Sequence, residues 1–154
     1  MYETICKCME QKISSSIAKI GAWVALNRAW TRISGAVEAQ LKRAGHPPLA
    51  WYDVLWELEK AEACCLRPIE LEARLLIRQH NLSRLLTRMA TAGLVKKLSC
   101  PEDGRSLRIE LTPAGRRTRK AMWEIYRPAL DAALEGLAPA EARQLAEQLD
   151  RLGR

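Results

Sequence analysis

Apolar residues recur along this chain at intervals of three and four for most of its length. Trp23, Leu26, Trp30, Ile33 and Val37 form one such stripe, with Leu41 a turn further on. Ile13, Ile17, Ile20 and Val24 form a second in a shifted register. One amphipathic helix of about thirty residues, ending near Gly45 before His46-Pro47-Pro48, accounts for both. So long a helix in a small chain carries more apolar surface than one neighbour covers, which predicts a partner chain. "LAWYDVLWELEKAEA" follows as a second, shorter helix with Leu49, Tyr52, Leu55, Trp56 and Leu58 facing inward. Next come "RPIELEARLL", with Pro68 at a first helical position, and "RQHNLSRLLTRMATAGL", with Leu82, Leu85, Leu86 and Met89 inside and Gly93 as its stop. Two short helices without a long loop between them are a helix-turn-helix candidate.

The period then changes. Leu107, Ile109 and Leu111 alternate with Arg108 and Glu110, as in a strand with one wet face. "LVKKLSC" reads as its partner strand, and "PEDG" supplies turn chemistry between them. Thr112 caps and Pro113 opens a new helix carrying Met122, Ile125, Ala129 and Ala133 on one face, with Pro128 expected to kink it. A last helix from about Pro139 aligns Ala142, Leu145, Leu149 and Leu152. The predicted fold is mainly α with a small β-hairpin wing, a winged helix-turn-helix flanked by long helices.

Charge sharpens this outline. The 154 residues are enough for one domain burying roughly 68–70% of its unfolded surface. The formal net charge is +7, from 25 basic and 18 acidic residues. Residues 67–119 hold 12 of the basic and 5 of the acidic ones, so the whole excess lies there and the remainder balances. An anionic partner is implied. Every tryptophan and tyrosine lies outside that basic segment. Single-strand binders need aromatic platforms for unstacked bases, so the partner that fits is duplex DNA.

An α-helix fits the major groove and reads base edges from its exposed side. On "RQHNLSRLLTRMATAGL" the outward positions include His80, Asn81, Ser83, Arg84, Thr87 and Arg88. Asn81 can read adenine and Arg84 guanine; His80, Ser83 or Thr87 can donate to bases or phosphates. The hairpin presents Arg105 at its tip with Lys96, Lys97 and Arg108 behind it, which suits the narrow, electronegative minor groove. Asp103, two residues before Arg105, would repel phosphate if free and is best used to aim the guanidinium.

From Leu66 to Arg119 the chain resembles the MarR family of winged helix-turn-helix transcription regulators. Asp103, Arg105, Ile109, Leu111, Thr112 and Gly115 match the family's wing motif, Asp-x-Arg followed by an alternating strand ending Leu-Thr-x-x-Gly. "LSRLLTRMATAGLVKK" resembles its recognition helix and the entry to the wing, and "LAWYDVLWELE" a second helix of one subset. Glu72 stands where a small alanine is usual, and Arg78 or Gln79 where the family has a Ser-like cap. The resemblance implies a homodimer whose first and last helices intertwine and whose two wings grip a pseudo-palindromic operator. It divides the single domain 1–154 into dimerisation helices, 1–46 and 120–154, around a DNA-binding lobe, 49–119. It also implies a repressor released by a small ligand, commonly an aromatic acid or phenol, held between the dimer helices and the lobe.

Candidates to line that pocket are Trp30, His46, Trp51, Tyr52, Trp56, Trp123 and Tyr126, with simple packing as the alternative. Trp23 and Trp30 also suit a dimer core. His46 reads as a loop histidine or as a hydrogen-bond partner for an anionic ligand.

The remaining chemistry narrows the field. Five cysteines without framework spacing read as reduced thiols in a cytoplasmic protein. No apolar run of 18 residues occurs, and the first residues lack the order of a signal peptide. Cys100, in the basic wing, best fits a reactive thiol; Cys64-Cys65 and Cys6-x-Cys8 fit less well. No zinc spacing, phosphate loop or nucleophile motif is present, so neither a metal, a cofactor nor an enzymatic activity is expected. A thiol-based redox regulator of the same fold and a non-specific architectural DNA binder are the alternative functions.

Overall fold

The structure is a computed structural model that describes residues 2–75, 79–99 and 107–152, and their side chains from Ser16 onward except at residues 79, 80 and 99. The elements run α1 (Tyr2–Arg43), α2 (Leu49–Lys60), β1 (Cys65–Leu66), α3 (Pro68–Leu75), α4 (Gln79–Thr91), β2 (Val95–Ser99), β3 (Leu107–Leu111), α5 (Pro113–Ala133) and α6 (Pro139–Leu149). The chain divides into two compact units, Met1–Ala36 and Val37–Arg154.

The first unit is the amino-terminal part of α1. At 42 residues, α1 exceeds the thirty expected. No proline interrupts the stretch from Tyr2 to Arg43, and Gly21 and Gly35 each cost no more than about 1 kcal/mol. Ile17, Ile20, Trp23, Val24, Leu26 and Trp30 all stand exposed on this helix, Trp23 and Trp30 at 66%.

In the second unit, α1 ends where Gly45 takes a φ of +73°. The Gly45 N–H donates to Lys42 O (3.1 Å) and the His46 N–H to Leu41 O (2.9 Å), a Schellman closure that needs the left-handed residue glycine provides. Glu38 of the same helix accepts the Leu49 N–H at 3.0 Å and so satisfies an orphan donor at the start of α2, where Pro48 has no side chain to do so.

Helix α2 is the wall between two cores. Leu49 and Tyr52 pack with Val37, Leu41 and Met122. Trp51, Val54, Leu55 and Leu58 pack with Leu66, Leu71, Leu82, Leu86, Met89, Val95, Ile109 and Leu111. Trp56, expected to face inward, is 39% exposed instead. At about 100° per residue Trp51, Val54, Leu55 and Leu58 share the core-facing arc of α2, and Trp56 falls outside it, under Lys60 and Arg119.

The wing differs from the two-stranded hairpin expected. The sheet has three strands in the order β1-β3-β2, all antiparallel. Val95 pairs with Leu111 and Ser99 with Leu107 on one side of β3, and Leu66 pairs with Ile109 on the other. A two-residue strand carries no periodicity by which it could be recognised. Ile109 and Leu111 are buried as the alternation requires, whereas Leu107, at the outer end, is half-exposed.

The Leu-Thr-x-x-Gly signature has a packing cause. Thr112 Oγ1 accepts the Gly115 N–H at 3.0 Å and caps α5. The same hydroxyl reaches Gly93 O (2.8 Å) and Leu94 O (3.0 Å), and the Thr112 N–H donates to Leu94 O (3.2 Å). Gly115 sits so close to this junction that a Cβ would overlap the Leu94 carbonyl oxygen and stand 2.8 Å from Leu111 Cδ1. The end of α4, the start of β2 and the start of α5 are thus tied at one point. Helix α5 continues through Pro128 to Ala133. Leu145 and Leu149 of α6, with Leu152 beyond it, are exposed. Among the described residues no helix is long and apolar enough to cross a membrane.

Candidate nucleic-acid interface

Helix α4 forms as its apolar spacing directs: Leu82, Leu86 and Met89 are buried and Leu85 half-buried. Asn81, Ser83, Arg84, Thr87, Arg88 and Thr91 are exposed on the other side. Gly93, at a φ of +71°, ends the helix, with its N–H donating to Ala90 O (3.0 Å) and the Leu94 N–H to Met89 O (3.0 Å).

These polar side chains are not equally free. Thr87 Oγ1 donates to Ser83 O (2.9 Å) and accepts from Lys97 Nζ (2.9 Å). Thr91 Oγ1 donates to Thr87 O at 3.1 Å. The Arg88 guanidinium lies 5.8 Å from the centroid of the Trp51 ring, held by a cation–π contact against α2. Asn81, Ser83 and Arg84 make no side-chain contact of this kind among the described residues.

The register of the wing sorts its cations. Residues opposite each other across β2 and β3 share a face, so Val95 and Lys97 lie on the side of Ile109 and Leu111, which faces the core. Lys97 emerges at the outer end of that face and meets Thr87 of α4. Lys96 and Arg108 belong to the other face and are exposed. Of the remaining candidates, Cys100, Asp103, Arg105 and the His80 side chain lie outside the described residues.

The aromatic candidates fall into separate places. Tyr52 packs on Trp123 (ring centroids 6.0 Å apart, interplanar angle 19°), on Tyr126 (5.1 Å, 81°) and on Trp56 (6.4 Å, 14°). Trp123 and Tyr126 meet edge to face at 5.7 Å. Trp51 is buried in the other core, beneath α4. His46 is half-buried in the α1–α2 turn, and Trp30 belongs to the first unit.

Three features at this end of the lobe escaped the sequence reading. Asp53, beside the aromatic cluster, has its carboxyl pushed up to about 6 by burial and then by the charges of Glu57 and Glu38. Burial also raises the phenols of Tyr52 and Tyr126, the former opposed by Arg119 and the latter reinforced by Asp53. Glu59 at the end of α2 anchors Arg116 (3.3 Å) and Arg119 of α5. Arg116 Nη2 also donates to Cys64 Sγ at 3.3 Å, and Cys64 has a φ of 50°. Charges of opposite sign 57 and 60 residues apart give no local signal by which such pairs could be anticipated.

This combination of a helix-turn-helix, a wing and long flanking helices defines a winged helix-turn-helix protein. Residues 47–106 match the sequence profile described as MarR family. The HTH-type transcriptional repressor IacR of Pseudomonas putida is 27% identical over 128 residues, covering 83% of this chain and 74% of IacR. Among solved structures, Sco3205, a MarR family transcriptional regulator from Streptomyces coelicolor in complex with DNA, superposes with a TM-score of 0.77 at 25% identity, covering 84% of this chain and 81% of that one. Bordetella bronchiseptica BpsR, whose DNA binding is regulated by 6-hydroxynicotinic acid, superposes with a TM-score of 0.78 at 20% identity over 87% and 99% of the two chains. Over residues 47–106 the chain is similar to the MarR family of winged helix-turn-helix regulators.

Proposed function

We propose that the protein is a sequence-specific transcriptional repressor that binds double-stranded DNA as a homodimer in the cytoplasm. The observation that carries this reading is the outward face of α4. Asn81, Ser83 and Arg84 are exposed near its start, and Lys97 is drawn from the wing onto the same surface. Arg84 and Asn81 read bases in the major groove, while Lys96, Lys97 and Arg108 neutralise phosphates. Arg105, aimed by Asp103, enters the adjacent minor groove. Arg88 and Thr87 serve the face indirectly, because Trp51 and Lys97 already engage them. The apolar stripe of α1 and the exposed leucines of α6 supply the dimer contacts. Two α4 helices related by a two-fold axis then address a pseudo-palindrome.

The aromatic cluster of buried Tyr52 with half-buried Trp123 and Tyr126 is the site of a small releasing ligand. It lies on α2 and α5, and α2 also carries Trp51 under α4. A ligand that shifts α2 therefore moves the reading helix.

Selection of random duplex DNA by the purified protein under reducing conditions tests this directly. A recovered palindrome with half-sites about one helical turn apart is expected. Recovery of no motif, with binding lost steeply in salt, would leave a non-specific basic protein and end the proposal.

A further inference from the structure

The outward side of α4 is held on both flanks, one turn beyond Arg84. At about 100° per residue Arg84 points from the middle of that side, opposite Leu82, Leu86 and Met89, with Thr87 about 60° to one side of it and Arg88 about 40° to the other. Thr87 is tied to the wing by Lys97 Nζ at 2.9 Å. Arg88 is tied to α2, its guanidinium lying over the Trp51 ring at 5.8 Å from the centroid. Trp51 is itself well anchored: it is only 8% exposed and belongs to the core that holds Leu82, Leu86 and Met89. Its indole Nε1–H, however, is buried and meets no acceptor among the described residues.

An unsatisfied buried donor costs stability, and a phenylalanine would bring an aromatic ring to the same core without one. What indole does better than a phenyl ring is hold a cation on its face. We infer that Trp51 is a positioning residue for base reading. It holds Arg88, and the two tethers at Arg88 and Thr87 fix the rotation of α4 about its axis, so that Arg84 meets base edges at one angle. This rests on the reading role of Arg84 proposed above and adds to it a residue buried beneath the helix. The angle matters because a guanidinium distinguishes guanine by two parallel N–H bonds at once, and a helix turned about its axis presents only one of them well.

Two substitutions in the full chain test this. Trp51→Phe keeps a ring and removes the orphan donor, and Arg88→Met keeps a long apolar stem and removes the cation. Duplex DNA is selected from a random pool with the parent, with each variant and with Arg84→Ala, the last identifying the base pair that Arg84 sets. Discrimination at that base pair is expected to fall about fivefold or more in Arg88→Met and about twofold or more in Trp51→Phe. Urea unfolding is expected to find Trp51→Phe at least as stable as the parent, whereas a merely structural tryptophan would let base preference follow stability. Parent preference retained in either variant would overturn the assignment; if Arg88→Met also lowered the slope of log affinity against log salt by about 1, Arg88 would be a phosphate contact instead. New tolerance at a different base pair in Arg88→Met would make Arg88 a base reader and overturn it too. Arg88 is exposed, so its substitution leaves the core untouched and decides the matter even where Trp51→Phe folds poorly. A parent motif that Arg84→Ala leaves unaltered would end the reading role of Arg84 and this inference with it, whereas a motif altered by Arg84→Ala alone would end only the inference.

Discussion

Replacing Gly115 with alanine is expected to destabilise the protein, although on helix propensity alone it should help. Gly115 lies in the first turn of α5, where alanine is favoured over glycine by about 0.8–1 kcal/mol. Against this, the new Cβ overlaps the Leu94 carbonyl oxygen and crowds Leu111 Cδ1 at 2.8 Å and Leu55 Cδ2 at 3.1 Å. The leucine tips can rotate, but the carbonyl is backbone. Leu94 O accepts both the Thr112 N–H and the Thr112 hydroxyl, so displacing it loosens the cap of α5. Overpacking of this kind costs about 1–3 kcal/mol and a lost cap about 1 kcal/mol more. Net of propensity, Gly115→Ala should lower the unfolding free energy by about 1–3 kcal/mol. Urea unfolding followed by circular dichroism, at one fixed protein concentration because a dimer's stability depends on it, measures the difference. Equal or greater stability in the alanine variant would refute the claim that close approach, rather than helix-end preference, selects glycine there.

Other substitutions probe the charges and the reading face. Asp53 is held near 6 against an ordinary 3.8, so its ionised form is penalised in the folded state. The penalty is absent below about pH 4, grows as pH rises and is complete above about pH 6. Asp53→Asn should therefore match the parent at pH 4 and be more stable at pH 8 by about 1–2 kcal/mol after allowance for solvent screening, as urea unfolding at the two pH values would show. Arg84→Ala should change which bases are tolerated in a selection experiment, beyond any uniform loss of affinity; an unaltered base preference would remove Arg84 from the reading role. Lys96→Ala should weaken all DNA sequences alike and reduce the slope of log affinity against log salt by about 1, measured by fluorescence anisotropy on selected and random duplexes.

Much of the candidate interface was legible because it obeys local rules. The period of 3.6 set Leu82, Leu86 and Met89 against Asn81, Ser83 and Arg84 on α4, and left-handed glycines at Gly45 and Gly93 closed helices where glycine spacing predicted. Thr112 and Pro113 marked the start of α5 for the same kind of reason. The concentration of positive charge in residues 67–119 is a property of order along the chain and needed no fold to be seen.

What needed the tertiary structure was every relation between residues distant in sequence. β1 exists only because β3 offers a free edge to two residues that have no pattern of their own. Trp56 is turned outward because Trp51, Val54 and Leu58 claim the core-facing arc of α2. Lys97 meets the outward side of α4 rather than the outer face of the wing, since strand register places it on the side of Ile109 and Leu111. Arg88 is tied down by a tryptophan 37 positions earlier. Asp53 owes its raised carboxyl to burial and to neighbours on two helices, a long-range electrostatic effect that residue order does not encode. Periodicity and capping act over a few residues and are written along the chain, whereas packing and Coulomb interactions act through space and appear only once the elements are docked.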